Sequence, residues 1–530
     1  MLIDARNLPE NKLIETGVCI VGAGAAGITL AREFVEQSFQ VCLLESGGLK
    51  LDAQTQSLSQ GENIGLPYSP LHRTRLRKFG GTTEDWAGWC APFGDLDFET
   101  RDWVSHSGWP LDKFELDPFY ERAHSMCQLG SNTYDTENWE TEDTPRLPFI
   151  NDRIITRIFQ ISPVTRFGKL YRDEITQAKN ISTFIHATVL EIETTDTARA
   201  VTRSRVATLR GNTFFVVAKV FILAAGGIEN ARLLLVSNKV QKNGLGNQYD
   251  LVGRYFMEHP YFYSGVFFPS GTCVPLSLYS AHKVKKPGVL GRGLGSLSMA
   301  DHVLRRERMV NCVMFFAPRY KTYKEFTSPG VASVIQILKE IRHGSLPHDL
   351  LHNLRSVIKN INDVALTAYR KFLESNALLV DGFALRTFIE AAPNRESRVS
   401  LSDEFDRLGM NRVRLEWKLS EIDERSTRRA HEILNEEIQH ARLGQLNITL
   451  DSTGVAKANS LTGGSHHMGT TRMHVDPKKG VVDANCQVHG IANMFVAGSS
   501  VFPTSGSANP TLTIVALAIR LADYMKRLMK

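Results

Sequence analysis

Two histidines stand side by side in GGSHHMGTTRM, residues 463–473. An imidazole titrates near neutrality, so a neutral ring can accept a proton at working pH. Adjacent side chains diverge by about 100° on a helix and face opposite ways on a strand. If one of His466 and His467 does chemistry, the other is therefore directed elsewhere. A second polar group follows in SGSANPTLT, where Asn509 and Pro510 precede an apolar helical run. An asparagine amide can hold a substrate oxygen but cannot take a proton. Asn as N-cap with Pro at the first helical position also makes a sufficient helix start on its own. Residue type alone leaves both roles open for Asn509. The remaining histidines singled out (His72, His106, His259, His474 and His489) match no such pattern, and structural roles are expected for them.

These groups need a scaffold, and its first unit is GVCIVGAGAAGITLAREFVEQSFQVCLLES, residues 17–46. Val18 to Val21 reads as a buried parallel strand, Ile28 to Gln37 as a helix and Val41 to Leu44 as a second strand. Between strand and helix, Gly22, Gly24 and Gly27 form G-x-G-x-x-G. Gly22 permits the turn, Gly24 lets backbone approach a pyrophosphate, and Gly27 lets helix pack on strand. The helix N-terminus offers amides and a positive dipole end to phosphate. Glu45, closing the second strand, is placed to accept from ribose hydroxyls. Strand, glycines, helix, strand and acid in this order point to a dinucleotide.

Further along, KFGGTTEDWAGWCAPFG (78–94) is a glycine- and tryptophan-rich loop. Residues 181–232 read as strands ending in VFILAAGGIENARLLL, a second strand–glycine–helix junction. Residues 260–320 suit an antiparallel sheet, and 397–450 give strands and then a charged helix. Met494 to Ala497 is a short strand before the Gly-Ser loop and the final helix.

Composition narrows the class. With 22 % charged and 42 % hydrophobic residues the chain of 530 is of ordinary globular type. A net charge of +6 is small for that length and offers no concentrated basic face for nucleic acid. Cysteines at 19, 42, 90, 127, 273, 312 and 486 contain no C-x-x-C pair, which leaves no ligand set for most zinc sites or an iron–sulfur cluster. No leader and no apolar run of about 20 residues is visible, so a cytoplasmic protein is expected. Residues 319–375 carry nine Lys/Arg against five Asp/Glu, a net of +4. There Leu350, Leu354, Val357, Ile358, Ile361, Val364, Ala365 and Ala368 keep helical spacing. A helical insert packing on the substrate domain is expected, with a membrane-surface or partner-binding helix as the other reading.

Together these segments resemble the glucose–methanol–choline family of flavin oxidoreductases. The resemblance spans nearly the whole chain and rests on VGAGAAG with Glu45, FGGTTEDWAG, ILAAGGIENARLLL, and HHMGTTRM followed by NMFVAGSSVFPTSGSANPTLT. It implies an α/β fold with a Rossmann-type FAD-binding domain (1–60, 180–260 and 460–530). An FAD-covering loop and connections (61–179) follow, with an inserted α+β substrate domain on an antiparallel sheet (261–459). The family's catalytic histidine stands in H-x-x-G-T. His466, with Gly469 and Thr470, meets that pattern and His467 does not. The resemblance thus implies His466 as base and Asn509 as its hydrogen-bond partner, with His467 structural. It implies FAD contacts from Gly22, Gly24, Ala25, Gly27, Glu45, Gly80, Gly81, Thr82, Trp86, Val189, Ala225, Gly226, Gly498, Ser499, Asn509, Pro510 and Thr511, and no metal. Some relatives tether FAD through a histidine before the loop tryptophan; here Asp85 precedes Trp86, so non-covalent FAD is expected. The activity implied is oxidation of an alcohol, at a secondary hydroxyl of a sugar, polyol or glycoside. Oxygen, a quinone or an electron-transfer protein would accept the electrons. A non-redox flavoprotein of the same fold, a hydroxynitrile lyase or a photoenzyme, is the alternative. A mere electron relay would need no base at this site.

Overall fold

The computed structural model describes the chain except for residues 164, 272–273, 287, 321–327, 343–348, 366–379 and 452–460. Its first sheet has eight strands. They are β1 (Leu2–Asp4), β2 (Lys12–Val21), β3 (Val41–Leu44), β7 (Ile181–Ile185), β8 (Thr188–Thr194), β9 (Val201–Ala207), β10 (Thr213–Leu223) and β20 (Met494–Val496). The order is β1-β7-β3-β2-β10-β9-β8, with β20 also on β10. The pairs from β1 to β10 and β10 with β20 are parallel; β9 pairs antiparallel with β10 and β8. Because β10 is long, β9 lies along Thr213–Val216 while β20 lies along Phe221–Leu223.

Val18–Val21, Val41–Leu44 and Val220–Leu223 are all buried, as a central parallel sheet covered on both faces requires. Each aliphatic side chain so buried contributes roughly 1.5–3 kcal/mol. The first helix, α1 (Ala25–Glu33), starts and stops earlier than its apolar pattern suggests. Its C-cap is Phe34, and Glu36 is left-handed at φ 62°, which ends the helical path. The closing helix, here α7 (Thr511–Leu528), packs on α1 and on α2 (Lys113–Met126).

A second, nine-stranded sheet contains β5 (Trp89–Cys90), β6 (Ile154–Ile161), β11 (Pro260–Pro269), β12 (His282–Lys286), β13 (Val289–Met299), β14 (Cys312–Tyr320), β15 (Val380–Ile389), β18 (Gly444–Ile448) and β19 (Thr462–Gly463). Its order is β18-β11-β15-β14-β13-β6-β5, with β12 on β13 and β19 on β11, and every pairing is antiparallel. The segment 61–179, expected to supply a loop and connections, also lends β5 and β6 to this sheet. A three-stranded sheet joins β4 (Gly61–Asn63), β16 (Arg398–Phe405) and β17 (Asn411–Glu416). It is bound to α3 (Glu229–Val236) through the buried Arg232–Asp406 ion pair at 2.8 Å.

The insert contains helices α4 (Pro329–Arg342) and α5 (Leu350–Lys359), and α6 (Glu421–His440) follows the three-stranded sheet. The two insert helices pack together where Gly330 meets Asn360, Ser356 and Val364. Leu350, Leu354, Ile358 and Ile361 were expected to pack on the substrate domain. All four are instead exposed, while Ser356, Asn360 and Val364 face the neighbouring helix. Ala368 lies outside the described residues. Among the described residues no helix is long and apolar enough to cross a membrane.

Candidate active site

The two larger sheets meet around a cavity of about 590 Å³. It opens at the carboxyl ends of β2, β3 and β10, where an open α/β sheet positions ligands. Gly22, Gly24, Ala25, Glu45, Gly81, Thr82, Trp86, Val189, Ala225, Gly226, Gly498, Ser499, Asn509, Pro510, Thr511 and His466 all line it. Gly27 and Gly80 do not. A Cβ at Gly27 would stand 1.8 Å from the Gly22 carbonyl oxygen, so its role is close packing of α1 on β2. Gly80, left-handed at φ 101°, donates its amide to the Ala23 carbonyl at 2.8 Å and so presses the 78–94 loop onto the glycine turn.

The cavity wall has the features a flavin dinucleotide requires. A Cβ at Gly24 or Gly226 would meet no protein atom within 4 Å, because both positions open onto the cavity. The N-termini of α1 and α7 reach the wall without any side-chain cap bond. Their first-turn amides are available to an anion there. Glu45 lines the wall while accepting amide bonds from Ala23 at 2.9 Å and Gly47 at 2.8 Å. Burial pushes its carboxyl up to about 7 against those bonds. Arg75 and Arg77 both reach Glu229, at 2.8 and 2.6 Å. Burial alone would raise Glu229, yet Arg77, Arg232 and Arg75 hold its carboxyl well below the usual range. The residues fit FAD.

Near the other end stand the two histidines. Gly469 (φ 84°) and Thr470 anchor the segment: a Cβ at Gly469 would meet the Tyr255 carbonyl at 2.2 Å, and Thr470 Oγ1 donates to the Gly227 carbonyl. Ser499 Oγ donates to the His467 carbonyl at 2.7 Å. A Cβ at Gly464 would crowd the His466 ring at 3.0 Å, so the glycine lets the imidazole fold back on its own chain.

Hydrogen bonds set the protons. His259 Nε2 donates to the Gly506 carbonyl at 2.9 Å, and burial holds this ring neutral by lowering its pKa. A neutral ring protonated at Nε2 must accept at Nδ1. Its Nδ1 lies 2.9 Å from His466 Nδ1, so His466 carries its proton there. His466 Nε2 then holds an in-plane lone pair, with no protein partner among the described residues. Burial, with His259 and His467 nearby, lowers the His466 pKa well below its ordinary value. His467 Nε2 is committed instead. It stands 2.8 Å from Tyr68 Oη, whose proton goes to Glu258, and burial lowers its pKa to about 3. Glu258 also accepts the backbone amides of His466 and His259, and burial raises its carboxyl to about 7.

Asn509 lines the same cavity. The final helix begins one residue later than the Asn-Pro pattern suggests, at Thr511, with Pro510 in the cap position. Asn509 therefore makes no cap bond. Tyr68, Glu258, His259, Arg75, Arg77, Tyr261 and Arg386 were not singled out as site residues. Glu229 lies within the quoted GGIENARLLL motif. The others reach the cavity or its histidines through long-range pairings that no local spacing reveals. Among the described residues no three His, Cys, Asp or Glu side chains gather as a metal site.

Comparison with known proteins agrees with this geometry. A GMC oxidoreductase model matches residues 393–518, a span holding both His466 and Asn509. The fructose dehydrogenase large subunit of Gluconobacter japonicus is 23 % identical over 97 % of this chain and 98 % of its own. The C-glycoside 3-oxidase of Arthrobacter globiformis is 37 % identical over a shorter stretch, 24 % of this chain and 23 % of that protein. The solved structure of pyridoxine 4-oxidase from Mesorbium loti shares the fold, with a TM-score of 0.54 at 17 % identity over 96 % of this chain and 98 % of that one. The glycine cradle, the two-sheet architecture and the H-x-x-G-T segment thus stand in a chain whose residues 393–518 match the GMC oxidoreductase model and whose fold is shared with pyridoxine 4-oxidase.

Proposed function

We propose that this chain is an FAD-dependent oxidoreductase that oxidises an alcohol group, at a secondary hydroxyl of a sugar, polyol or glycoside. One observation carries the reading. His466 keeps an uncommitted Nε2 lone pair on a wall shared with Asn509 and the glycine cradle. Gly22, Gly24 and Ala25 would hold the pyrophosphate at the N-terminus of α1, and Gly498, Pro510 and Thr511 would border the flavin end. FAD, when bound, supplies a two-electron hydride acceptor. His466 takes the hydroxyl proton at Nε2, which turns the carbinol carbon into a hydride donor. Asn509 holds the same oxygen through its amide and fixes its direction. His259 is a positioning residue: by accepting from Nδ1 it keeps the proton off Nε2. His467, locked to Tyr68, is structural.

The names of the relatives, a fructose dehydrogenase and a C-glycoside 3-oxidase, support the substrate class. FAD is held without a covalent link, since Asp85 stands where a tethering histidine precedes the tryptophan in some relatives. An oxygen molecule, a quinone or an electron-transfer protein takes the electrons onward. The test is anaerobic mixing of the FAD-loaded protein with a panel of sugars, polyols and glycosides while flavin absorbance is followed. Bleaching by one class is expected. Bound flavin that dithionite reduces but no alcohol on the panel bleaches would favour the non-redox reading instead.

A further inference from the structure

We infer that the alcohol oxidised at this site carries a carboxylate, and that Arg386 is the residue that binds it. The inference rests on the cavity being the alcohol-oxidising site proposed above. Side chains alternate along β15. Thr387 points away from the cavity, where its hydroxyl meets Ser264 Oγ at 2.7 Å and His431 Nε2 at 3.2 Å. Arg386 and Phe388 therefore share the opposite face, and both line the cavity. Strand register sets Arg386 opposite Tyr263 and Phe315, and Phe388 opposite Tyr261.

The Arg386 guanidinium lies 5.2 Å from the Tyr261 ring centroid and 5.6 Å from that of Trp89. Its Nε donates to Tyr261 Oη at 3.1 Å. Two aromatic faces support a cation but do not neutralise it. Four arginines border the cavity, and the other three each face a carboxylate. Arg75 and Arg77 share Glu229, and Arg73 reaches Asp349 at 3.9 Å. Among the described residues no carboxylate pairs with Arg386. Among the described residues its two terminal nitrogens remain as a planar fork without an acceptor, the geometry that matches a carboxylate in two parallel bonds.

The chain also ties this fork to the base. Tyr261, which receives the Nε bond, is two residues from His259, which sets the proton on His466. A substrate spanning both would present a hydroxyl to His466 and a carboxylate to Arg386 on one short carbon skeleton. Trp89 and Phe388 supply apolar surface for its ring or chain. The class is a polyhydroxy acid, such as an aldonic or uronic acid.

The test is anaerobic calorimetric titration of the FAD-loaded wild type, R386Q and R386K with matched pairs. These are glucuronate against glucose, galacturonate against galactose and gluconate against glucitol. Acids should bind more tightly than their neutral partners, and R386Q should weaken acid binding roughly 10- to 100-fold while moving the neutral partners about twofold or less. R386K should retain part of the preference, since it restores charge without the fork. Equal binding of acid and neutral partner in the wild type, or equal loss of both in R386Q, overturns the inference whether or not flavin bleaches. Glucose 6-phosphate bound as tightly as glucuronate and with the same dependence on Arg386 overturns the carboxylate assignment. If acids bind through Arg386 yet bleach nothing, Arg386 stands as the carboxylate-binding residue, while the alcohol-oxidation reading falls and with it the claim that the bound acid is the oxidised substrate. H466A separates the two again, since it should slow bleaching roughly 10²- to 10⁴-fold and keep acid binding.

Discussion

Replacing His466 by alanine removes the imidazole nitrogen whose lone pair is left free toward the cavity. Loss of a general base slows the step it serves roughly 10²- to 10⁴-fold, or about 2.7–5.5 kcal/mol of barrier. The loss should fall on the rate of flavin reduction rather than on binding, because Asn509 and Arg386 still hold the substrate. FAD should remain bound, since the glycine cradle is untouched. A second, separate cost is expected in stability. His259 Nδ1 loses its donor while its Nε2 stays on Gly506, and a buried unpaired acceptor costs about 1–3 kcal/mol. Anaerobic stopped-flow absorbance gives the reduction rate, and thermal unfolding gives the second cost. The pH profile adds a signature. Burial and two neighbouring rings lower the His466 pKa, so the base is neutral throughout the neutral range. The acid limb that belongs to His466 should appear only as pH drops through that lowered pKa, below any limb from Glu258 near 7. That lower limb must vanish in H466A. If it persists, or if His467→Ala slows reduction more than H466A does, the assignment of the base is wrong.

Asn509→Ala should slow flavin reduction by about tenfold or more through lost orientation. It should leave thermal stability within about 0.5 kcal/mol, whereas a capping asparagine would cost roughly 0.5–2 kcal/mol. Gly227→Ala should fail to fold or lose FAD, seen by flavin content after purification, because its Cβ would lie 2.2 Å from the His467 carbonyl oxygen. Burial lowers the His431 pKa from 6.5 to about 4, so the unfolded chain takes a proton there before the folded one does. Its contribution is therefore lost as pH falls from 6.5 to 4, by about 3 kcal/mol. His431→Gln should flatten the pH dependence of denaturant unfolding over that interval; an unchanged slope would refute it. Acid precipitation should release FAD into the supernatant, and flavin retained on the pelleted protein would show a covalent link.

What could be read from the sequence was local. Gly22, Gly24, Gly27 and Glu45 sit within one strand–turn–helix, and H-x-x-G-T holds within five residues because Gly469 and Thr470 secure that same turn. Asn509 was legible as a position but ambiguous as a role, until the helix proved to start at Thr511 without its side chain. The helpers of the histidines were not legible. Tyr68 and Glu258 lie 190 residues apart, and His467 lies 399 residues from Tyr68. Arg386 faces the cavity only because β15 pairs with β11 in one register; a shift of one residue would turn Thr387 inward instead. The apolar stripe on α5 carried the right period for a helix, yet period alone does not say which face the neighbours cover. Gly330, Ser356, Asn360 and Val364 made the packed side, and Leu350, Leu354, Ile358 and Ile361 were left outward.

The pairing of β20 with β10 also has a consequence for synthesis. The glycine turn at Gly22–Gly24 leaves the ribosome well before β20 and the Asn509 helix start, which complete the cavity. At roughly 5–20 residues per second, about 25–100 s separates Gly24 from Asn509. β2 and β3, joined partway through that interval by β10, exist without the strand and helix that complete their cavity. FAD cannot act as a template for the early half, because much of its wall has not yet been made. Shielding of the nascent chain during synthesis should therefore raise the yield. Flavin supply should raise the yield of active protein only by stabilising completed chains, leaving the fraction lost during translation unchanged.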